Sequence, residues 1–435
     1  MPHYSSDTRT LQAGDTFVAV RGERTDGHAY LAEAAARGAT TLIVESGADL
    51  TGVPAEVEIV RAADTIVYLG ELARQRLAEH QPVVVAVTGS MGKTTTRNAI
   101  ATVAGQGFPV IAPKGNLNTL LGLSLTVLNE LHASGRVLVA EMGAYQRGDL
   151  AQICEYIAPD ISVVTNVRPV HLERMGSIEN VALAKGEIVD ALTERGAFCL
   201  NADERLVADM APRCRGQVLT YGAQASVAIS PALIQTPIPL LGAYQVYTAL
   251  AAFSVGRCLG LSDAAINAGL AQLKPEKGRL KRLPGLNGSW LIDDTYNASR
   301  DSMLAALEVL AGQPAARRMA VLGDMLELGS VEQAAHREVV TGALAVAERV
   351  VLVGPRLAAA AAELGAGPRV TLFPSSKAAA DAQAAGALLH PQPGDLILLK
   401  GSEGMRMERL TEHLIAPDVD REHELPRQDV AWKQI

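Results

Sequence analysis

The segment that most constrains this chain is the apolar run Val83-Val84-Val85-Ala86-Val87, followed at once by Thr88-Gly89-Ser90-Met91-Gly92-Lys93-Thr94-Thr95-Thr96. The run offers water no polar face, so it fits the middle of a parallel sheet covered on both sides. The turn after it leads into Arg97-Asn98-Ala99-Ile100, which is expected to be helical. Glycines let the backbone approach a polyphosphate, amides at the helix start point at its oxygens, Lys93 supplies charge, and a following hydroxyl can hold Mg2+. The strict phosphate-loop pattern has a further glycine upstream, where this chain carries Ala86 and Val87, so the segment is a shortened relative. An ordinary Gly/Ser/Thr turn is the bland alternative, and the buried strand in front of the turn weighs against it. Gly89, Ser90, Met91, Gly92, Lys93, Thr94 and Thr95 are therefore the candidate nucleotide contacts.

At 435 residues the chain is long enough for about three domains of ~150 residues each. Its 48% hydrophobic and 20% charged residues exclude a disordered chain. A net charge of -8 with only 4% aromatic residues argues against a nucleic-acid surface. Cys154, Cys199, Cys214 and Cys258 stand far apart without metal-ligand spacing, which fits reduced thiols. The polar stretch Met1 to Asp7 lacks a secretory pattern, and no apolar run reaches the ~18 residues of a membrane span. A cytoplasmic protein is expected.

Short apolar runs alternate with helical stretches along the whole chain, which predicts an α/β fold. Residues 1–80 read as a small α/β domain, with strands at Thr16–Val20 and Thr41–Val44 around a helix at Tyr30–Arg37. Residues 81–281 read as a central phosphate-loop domain with a mostly parallel sheet, including strands at Val137–Ala140 and Ile161–Val164. Residues 282–417 read as a Rossmann-like domain with strands at Trp290–Ile292, Met319–Leu322, Val350–Val353 and Leu396–Leu399. The charged stretch 418–435, with Pro426, reads as a flexible tail.

A phosphate loop serves motors, kinases, switches and ligases alike, so acids and bases elsewhere must decide. Glu141 ends an apolar run, at the carboxyl end of a strand where sheet ligands bind, and could hold Mg2+. Alone, it reads equally as a solvated surface group. His171 follows a second buried strand, and alone it reads as a hydrogen-bonded structural histidine. Lys185, in Ala184-Lys185-Gly186-Glu187-Ile188, reads by itself as a helix-surface lysine.

Together, Thr88 to Thr95, Glu141-Met142-Gly143-Ala144, Thr165-Asn166, His171-Leu172 and Ala184 to Ile188 resemble the Mur ligases, ATP-dependent amide-forming enzymes of peptidoglycan precursor synthesis. The resemblance runs from about Asp7 to Leu414. Asp293-Asp294-Thr295-Tyr296-Asn297-Ala298 with Asp301-Ser302-Met303, Val321 to Gly329, His336 to Val339 and Gly404 to Glu408 are similar to the subgroup that adds D-alanyl-D-alanine. An Asp-Asn-Pro-Arg motif, usual in the diaminopimelate-adding subgroup, does not occur.

The resemblance implies that a UDP-N-acetylmuramoyl tripeptide carboxylate attacks the γ-phosphate of ATP, giving an acyl phosphate that the dipeptide amine then attacks. It assigns Thr94 and Glu141 to one Mg2+, and His171 and Lys185 to a second, with Lys185 carbamylated by CO2. Lys93, His171, Lys185, Arg279 and Asp294 become the catalytic set. Arg279, Asp294 and Asn297 also become nucleotide contacts on the third-domain side. Asp7, Thr8, Arg9, Asn116, Asn118, Asn297 and Asp301 become substrate contacts, although Asp7 to Arg9 reads equally as a turn before a strand. In Asp26-Gly27-His28, turn chemistry is expected, with Gly27 at positive φ. A monomer is expected.

The chain departs from the family pattern at Tyr244, Gln245 and Thr248, which replace a His-Asn pair and a later Asn, and at Thr119, Ser124, Arg168, Arg300 and Glu403. The first domain is expected to be trimmed. Two other readings stay open: a divergent ligase of the same type with other substrates, and a nucleotide-binding partner protein that has lost ligation.

Overall fold

The computed structural model describes residues 3–428 and Trp432, apart from 23, 24, 114, 116, 171 and 225. Three sheets follow one another along the chain. The first contains β1 (Tyr4–Ser5), β2 (Thr16–Val18), β3 (Thr41–Glu45) and β4 (Glu58–Ala62), in that order and all parallel. Helix α1 (Leu31–Ala36) covers one side, where Leu31 and Ala34 pack with Phe17, Leu42 and Val44. The amphipathic α2 (Thr65–His80) covers the other, bringing Leu69 against Val18 and Ile43. Asp64 starts α2 by accepting hydrogen bonds from the amides of Ile66 and Val67.

The second sheet comprises β5 (Val83–Thr88), β6 (Val110–Ile111), β7 (Val137–Glu141), β8 (Ile161–Val164), β9 (Ala197–Asn201) and β10 (Gln217–Tyr221). Its order is β10-β9-β8-β5-β7-β6 and every pairing is parallel. The chain leaves β5 toward β7 and β6, then returns to build β8, β9 and β10 on the other side. The order therefore reverses beside β5, and in open α/β sheets ligands bind at the carboxyl ends of the strands at such a switch point. Helix α3 (Lys93–Ala104) begins there. Helices α4 (Leu120–Glu130) and α5 (Asp149–Tyr156) both pack on α2. A Cβ at Gly70 in α2 would stand 2.8 Å from the Tyr156 ring, so this crossing depends on glycine.

The third sheet contains β11 (Lys281–Pro284), β12 (Trp290–Asp294), β13 (Arg318–Gly323), β14 (Arg349–Val353), β15 (Val370–Phe373) and β16 (Leu396–Lys400), ordered β11-β12-β16-β13-β14-β15. Only β11 is antiparallel to its neighbour. Separate cores line its two faces, one around Ile292, Leu322 and Val350 and the other around Leu291, Val321 and Val351, as the period-2 alternation of strand side chains requires. The predicted α/β class with mostly parallel sheets is the observed one.

By contact density the chain forms two compact units: Met1–Val167 with Ala182–Ile234 and Leu250–Gly269, and Arg168–Val181 with Gln235–Ala249 and Leu270–Ile435.

Two expectations need correction. The segment read as a flexible tail is anchored as far as it is described: Leu425 is 1% exposed, and Arg427 pairs with the buried Glu408 at 2.9 Å. Asp418, Asp420, Arg421, Glu422 and His423 stay exposed, but Glu424 and Arg427 find partners in the fold, in Lys281 and Glu408. Gly27 does not occupy positive φ. It is needed for close approach, because a Cβ would lie 2.7 Å from the Val20 amide nitrogen. Beside it, His28 pairs through Nδ1 with Asp26 at 2.7 Å and accepts the Glu45 N–H at Nε2, a structural histidine.

Candidate active site

The turn after β5 is held open by its neighbours. Gly89 has φ +149, and a Cβ there would overlap the Thr165 hydroxyl just past β8. Gly92 has φ +76 and serves as the N-cap of α3. Asn166 secures the loop from below: its carbonyl accepts the Ser90 amide at 3.0 Å, its Oδ1 accepts the Met91 amide at 2.9 Å, and its Nδ2 donates to the Met91 carbonyl at 3.1 Å. Thr165 donates to the same carbonyl at 2.7 Å. The Thr165-Asn166 motif is thus a clamp on the loop, itself steadied by Asn201, whose Nδ2 donates to the Thr165 carbonyl at 3.2 Å.

This bonding divides the predicted contacts. The amides of Ser90 and Met91 are engaged by Asn166, whereas those of Gly92, Thr94 and Thr95 precede the first intrahelical acceptor, Gly92 O to Thr96 N. The donors left for an anion are those at the end of the turn and in the first turn of α3, where the helix dipole also favours negative charge. Lys93 folds back over the loop, its Nζ donating to Gly89 O at 3.0 Å.

Glu141, at the end of β7, is 3% exposed. Its Oε1 accepts from Asn118 Nδ2 at 3.2 Å, and the Arg97 guanidinium stands 3.8 Å from Oε2. Among the described residues Oε2 has no hydrogen-bond partner. Arg97 supplies charge at that distance but no hydrogen bond, so the oxygen is still open to direct coordination, and the donor chemistry fits Mg2+. No cluster of three His, Cys, Asp or Glu side chains with metal-holding geometry occurs among the described residues. That agrees with the few protein ligands Mg2+ takes beside phosphate and water. His171 and Asn116 lie outside the described residues.

Lys185, at the end of the helix Ile178–Lys185, is 2% exposed, and no ion pair or hydrogen bond joins its ammonium to a described residue. Burial, with the charge of Lys93 adding to it, holds its ammonium well below the ordinary lysine value. It is not the surface lysine that its sequence context alone suggests. The neighbouring Glu187 has a structural task, accepting the amides of Gly148 and Ala151 at the start of α5.

In the other unit, Asp294 and Lys400 are register partners at the carboxyl ends of β12 and β16 and form an ion pair at 2.7 Å. Asp294 also accepts the Leu280 amide at 3.1 Å, fixing the chain just after Arg279. Arg279 stacks its guanidinium 4.1 Å from the centroid of the Tyr296 ring. Lys400 donates to the Asn297 carbonyl at 2.8 Å. Burial lowers the Lys400 ammonium, and Asp294 opposes that shift. Lys400 escaped the sequence reading, although it ends Leu396–Leu399 just as Glu141 ends Val137–Ala140. Asp301 pairs with Arg300 at 2.7 Å and with Arg168 at 3.5 Å. All three line a cavity of about 260 Å³ floored by Val170, Leu328 and Val331.

Asp7 is the turn residue that the plainer reading expected. It caps Thr8–Thr10 through the Arg9 amide at 2.9 Å and pairs with the exposed Arg9 guanidinium. That hydrogen bonding to Arg9 lowers its carboxyl below the ordinary value.

Family models match along the chain: the Mur ligase family catalytic domain over residues 3–79, the Mur ligase middle domain over 87–256, and the Mur ligase glutamate ligase domain over 278–403. The chain belongs to the Mur ligase family. It is 32% identical to the UDP-N-acetylmuramoyl-tripeptide--D-alanyl-D-alanine ligase of Bacillus subtilis, covering 94% of this chain and 92% of the relative. Identity to the Escherichia coli ligase of that name is 33%, over 94% and 93%. Among solved structures it is similar to MurF of Acinetobacter baumannii, with TM-score 0.83 and 27% identity over 94% of this chain and 92% of that one. The Thermotoga maritima MurF in complex with ADP gives TM-score 0.80 and 27% identity, over 95% and 96%. Among the described residues no helix is long and apolar enough to cross a membrane.

Proposed function

We propose that this Mur ligase joins D-alanyl-D-alanine to a UDP-N-acetylmuramoyl tripeptide, consuming ATP and releasing ADP and phosphate. The observation that carries the reading is the pair Lys93 and Lys185. One ammonium lies on the phosphate turn, and the other is buried within reach of its charge with no described carboxylate to neutralise it. A cation on the turn suits a site that gathers the oxygens of a triphosphate, and a buried lysine held off its charged form beside it suits a group whose charge changes as substrates and metal assemble.

In this reading the amides of Gly92, Thr94 and Thr95 and the Lys93 ammonium hold the terminal phosphates. The tripeptide carboxylate attacks the γ-phosphorus and ADP leaves. The neutral dipeptide amine then attacks the acyl carbon, and the tetrahedral adduct collapses with loss of phosphate. Thr94 and Glu141 would hold Mg2+, which supplies charge neutralisation on the phosphate oxygens. Burial holds Lys185 toward its neutral form, the form that adds CO2 and loses a proton to become a carbamate, so a carbamylated Lys185 would present a carboxylate with His171 for a second ion. Arg279, Asp294 and Asn297 remain proposed nucleotide contacts. Asp7, Thr8, Arg9, Asn116 and Asn118 remain proposed contacts of the sugar-nucleotide substrate, and Asp301 of the peptide. Solubility in the cytoplasm and a monomeric state belong to the same proposal.

Phosphate release from ATP and Mg2+ tests the reading, with UDP-muramoyl tripeptide alone, D-alanyl-D-alanine alone, and both together. Release that requires both is expected. Release indifferent to either would reject ligation, and no release with tight ADP binding would favour a non-catalytic partner.

A further inference from the structure

The segment after Asp420 carries a buried cation that the proposed chemistry leaves unused. Arg427 adopts φ 55, a left-handed backbone uncommon outside glycine, and is 9% exposed. Its Nη1 donates to Glu408 Oε2 at 2.9 Å and to the Thr295 carbonyl at 3.3 Å, and its Nη2 donates to the Tyr296 carbonyl. Glu408, fully buried, accepts Arg406 on its other oxygen at 2.6 Å. A residue that merely fastened the C-terminal segment would need only Glu408. Arg427 divides its donors between Glu408 and two carbonyls of the turn that joins Asp294 to Asn297.

The same segment grips the chain on both sides of Arg279. Lys277 Nζ donates to the Glu422 carbonyl at 2.8 Å, and Lys281 pairs with Glu424 at 2.6 Å. Gly278, at φ +67, lies so close to Pro426 and Tyr296 that a Cβ would stand 3.1 Å from Pro426 Cγ and 3.0 Å from the Tyr296 amide. That amide donates to the Gly278 carbonyl at 3.1 Å. The Tyr296 ring then has two guanidinium groups near it, Arg279 at 4.1 Å and Arg427 at 5.2 Å from its centroid.

We propose that Arg427 is a positioning residue for nucleotide binding: by fixing the Thr295 and Tyr296 carbonyls it sets the ring on which Arg279 rests and the backbone that presents Asn297. The proposal rests on the reading of Arg279 and Asn297 as nucleotide contacts. It predicts that the C-terminal segment tunes nucleotide affinity without touching nucleotide.

The test uses the full chain and measures ADP affinity by calorimetry, KM for ATP and for D-alanyl-D-alanine, and melting temperature, in the wild type, R427A, R427K and K281M. R427A is expected to weaken ADP binding and raise the ATP KM about tenfold with the dipeptide KM unchanged. R427K keeps a charge for Glu408 but lacks the guanidinium fork, so it should fold and show a smaller rise of about threefold. K281M removes a tether of the same segment that holds Glu424 and not the Thr295 or Tyr296 carbonyl, and should lower the melting temperature without changing ADP affinity. Unchanged ADP affinity in R427K and R427A, or an equal loss in K281M, would overturn the proposal. Because ADP affinity is read without turnover, a wild type that binds ADP but does not ligate would refute the proposed reaction and leave this test standing.

Discussion

At the carboxyl edge of the second sheet, Glu141 keeps one buried oxygen without a described hydrogen-bond partner, and Lys185, its ammonium disfavoured by burial and then by the charge of Lys93, has no described counter-ion. At the corresponding edge of the third sheet, Asp294 and Lys400 neutralise each other at 2.7 Å, and Glu408 lies between Arg406 and Arg427. Both regions bury lysines and carboxylates. The second sheet leaves their charge available to a ligand, while the third spends it on fixing backbone carbonyls. On the proposed function, the contrast separates a region suited to chemistry from one suited to holding the proposed contact residues still.

Substitutions should therefore act on different quantities in the two regions. The largest effect is expected from Lys185→Ala, which should reduce phosphate release by about a thousandfold or more without lowering the melting temperature, since burying this amino group without a described partner costs stability. Partial rescue of this variant by acetate would mark the carboxylate character proposed for Lys185; unchanged turnover would remove Lys185 from the chemistry. Lys400→Met should do the reverse, lowering stability by about 3 kcal/mol because Asp294 is left buried and unpaired, as urea unfolding would show. A Lys400→Met protein as stable as the wild type would erase the contrast between the two edges. Glu141→Gln should raise the Mg2+ concentration needed for half-maximal turnover about tenfold, with stability nearly unchanged. An unchanged Mg2+ requirement would leave Glu141 a structural acid.

The smallest effect concerns Asp293, buried beside Asp294, with hydrogen bonds from Thr295 at 2.8 Å and Thr411 at 3.2 Å. Burial pushes its carboxyl up to about 7. Because the folded value exceeds the ordinary value of about 4, the stability this proton contributes is complete below about pH 4 and is lost as pH rises through about 7. Asp293→Asn keeps an acceptor for both hydroxyls and removes that titration. Its melting temperature should fall less than that of the wild type between about pH 5 and pH 8. Parallel profiles for the two proteins would place the Asp293 titration elsewhere.

Much of this fold is legible in the sequence because strands buried on both faces write continuous apolar runs: β5, β7, β8, β13, β14 and β16 all appear in the reading. The strands it omits lie mostly at sheet edges, where one face meets water. β4, β10, β11 and β15 mix charged or polar residues with apolar ones and give no run. β9 is an exception, since Ala197-Phe198-Cys199-Leu200 is an apolar, buried run that is not among the expected strands. In the candidate site, motif order singles out Lys93, Glu141 and Lys185 as candidates, but only geometry shows that the Ser90 and Met91 amides are already engaged by Asn166. Arg427 was hidden for a different reason. A charged residue near a chain end usually means exposure, and its partners Glu408, Thr295 and Tyr296 are remote in sequence.

The claim beneath all of this is that a peptide carboxylate, activated at the Gly89 to Thr95 turn, takes the phosphoryl group of ATP before the amine arrives. Turnover with UDP-muramoyl tripeptide labelled with ¹⁸O in its terminal carboxylate, followed by mass analysis of the released phosphate, tests that order of bond making. The account predicts phosphate carrying one labelled oxygen, transferred through the acyl phosphate. Unlabelled phosphate would mean that water had received the phosphoryl group, and would contradict it.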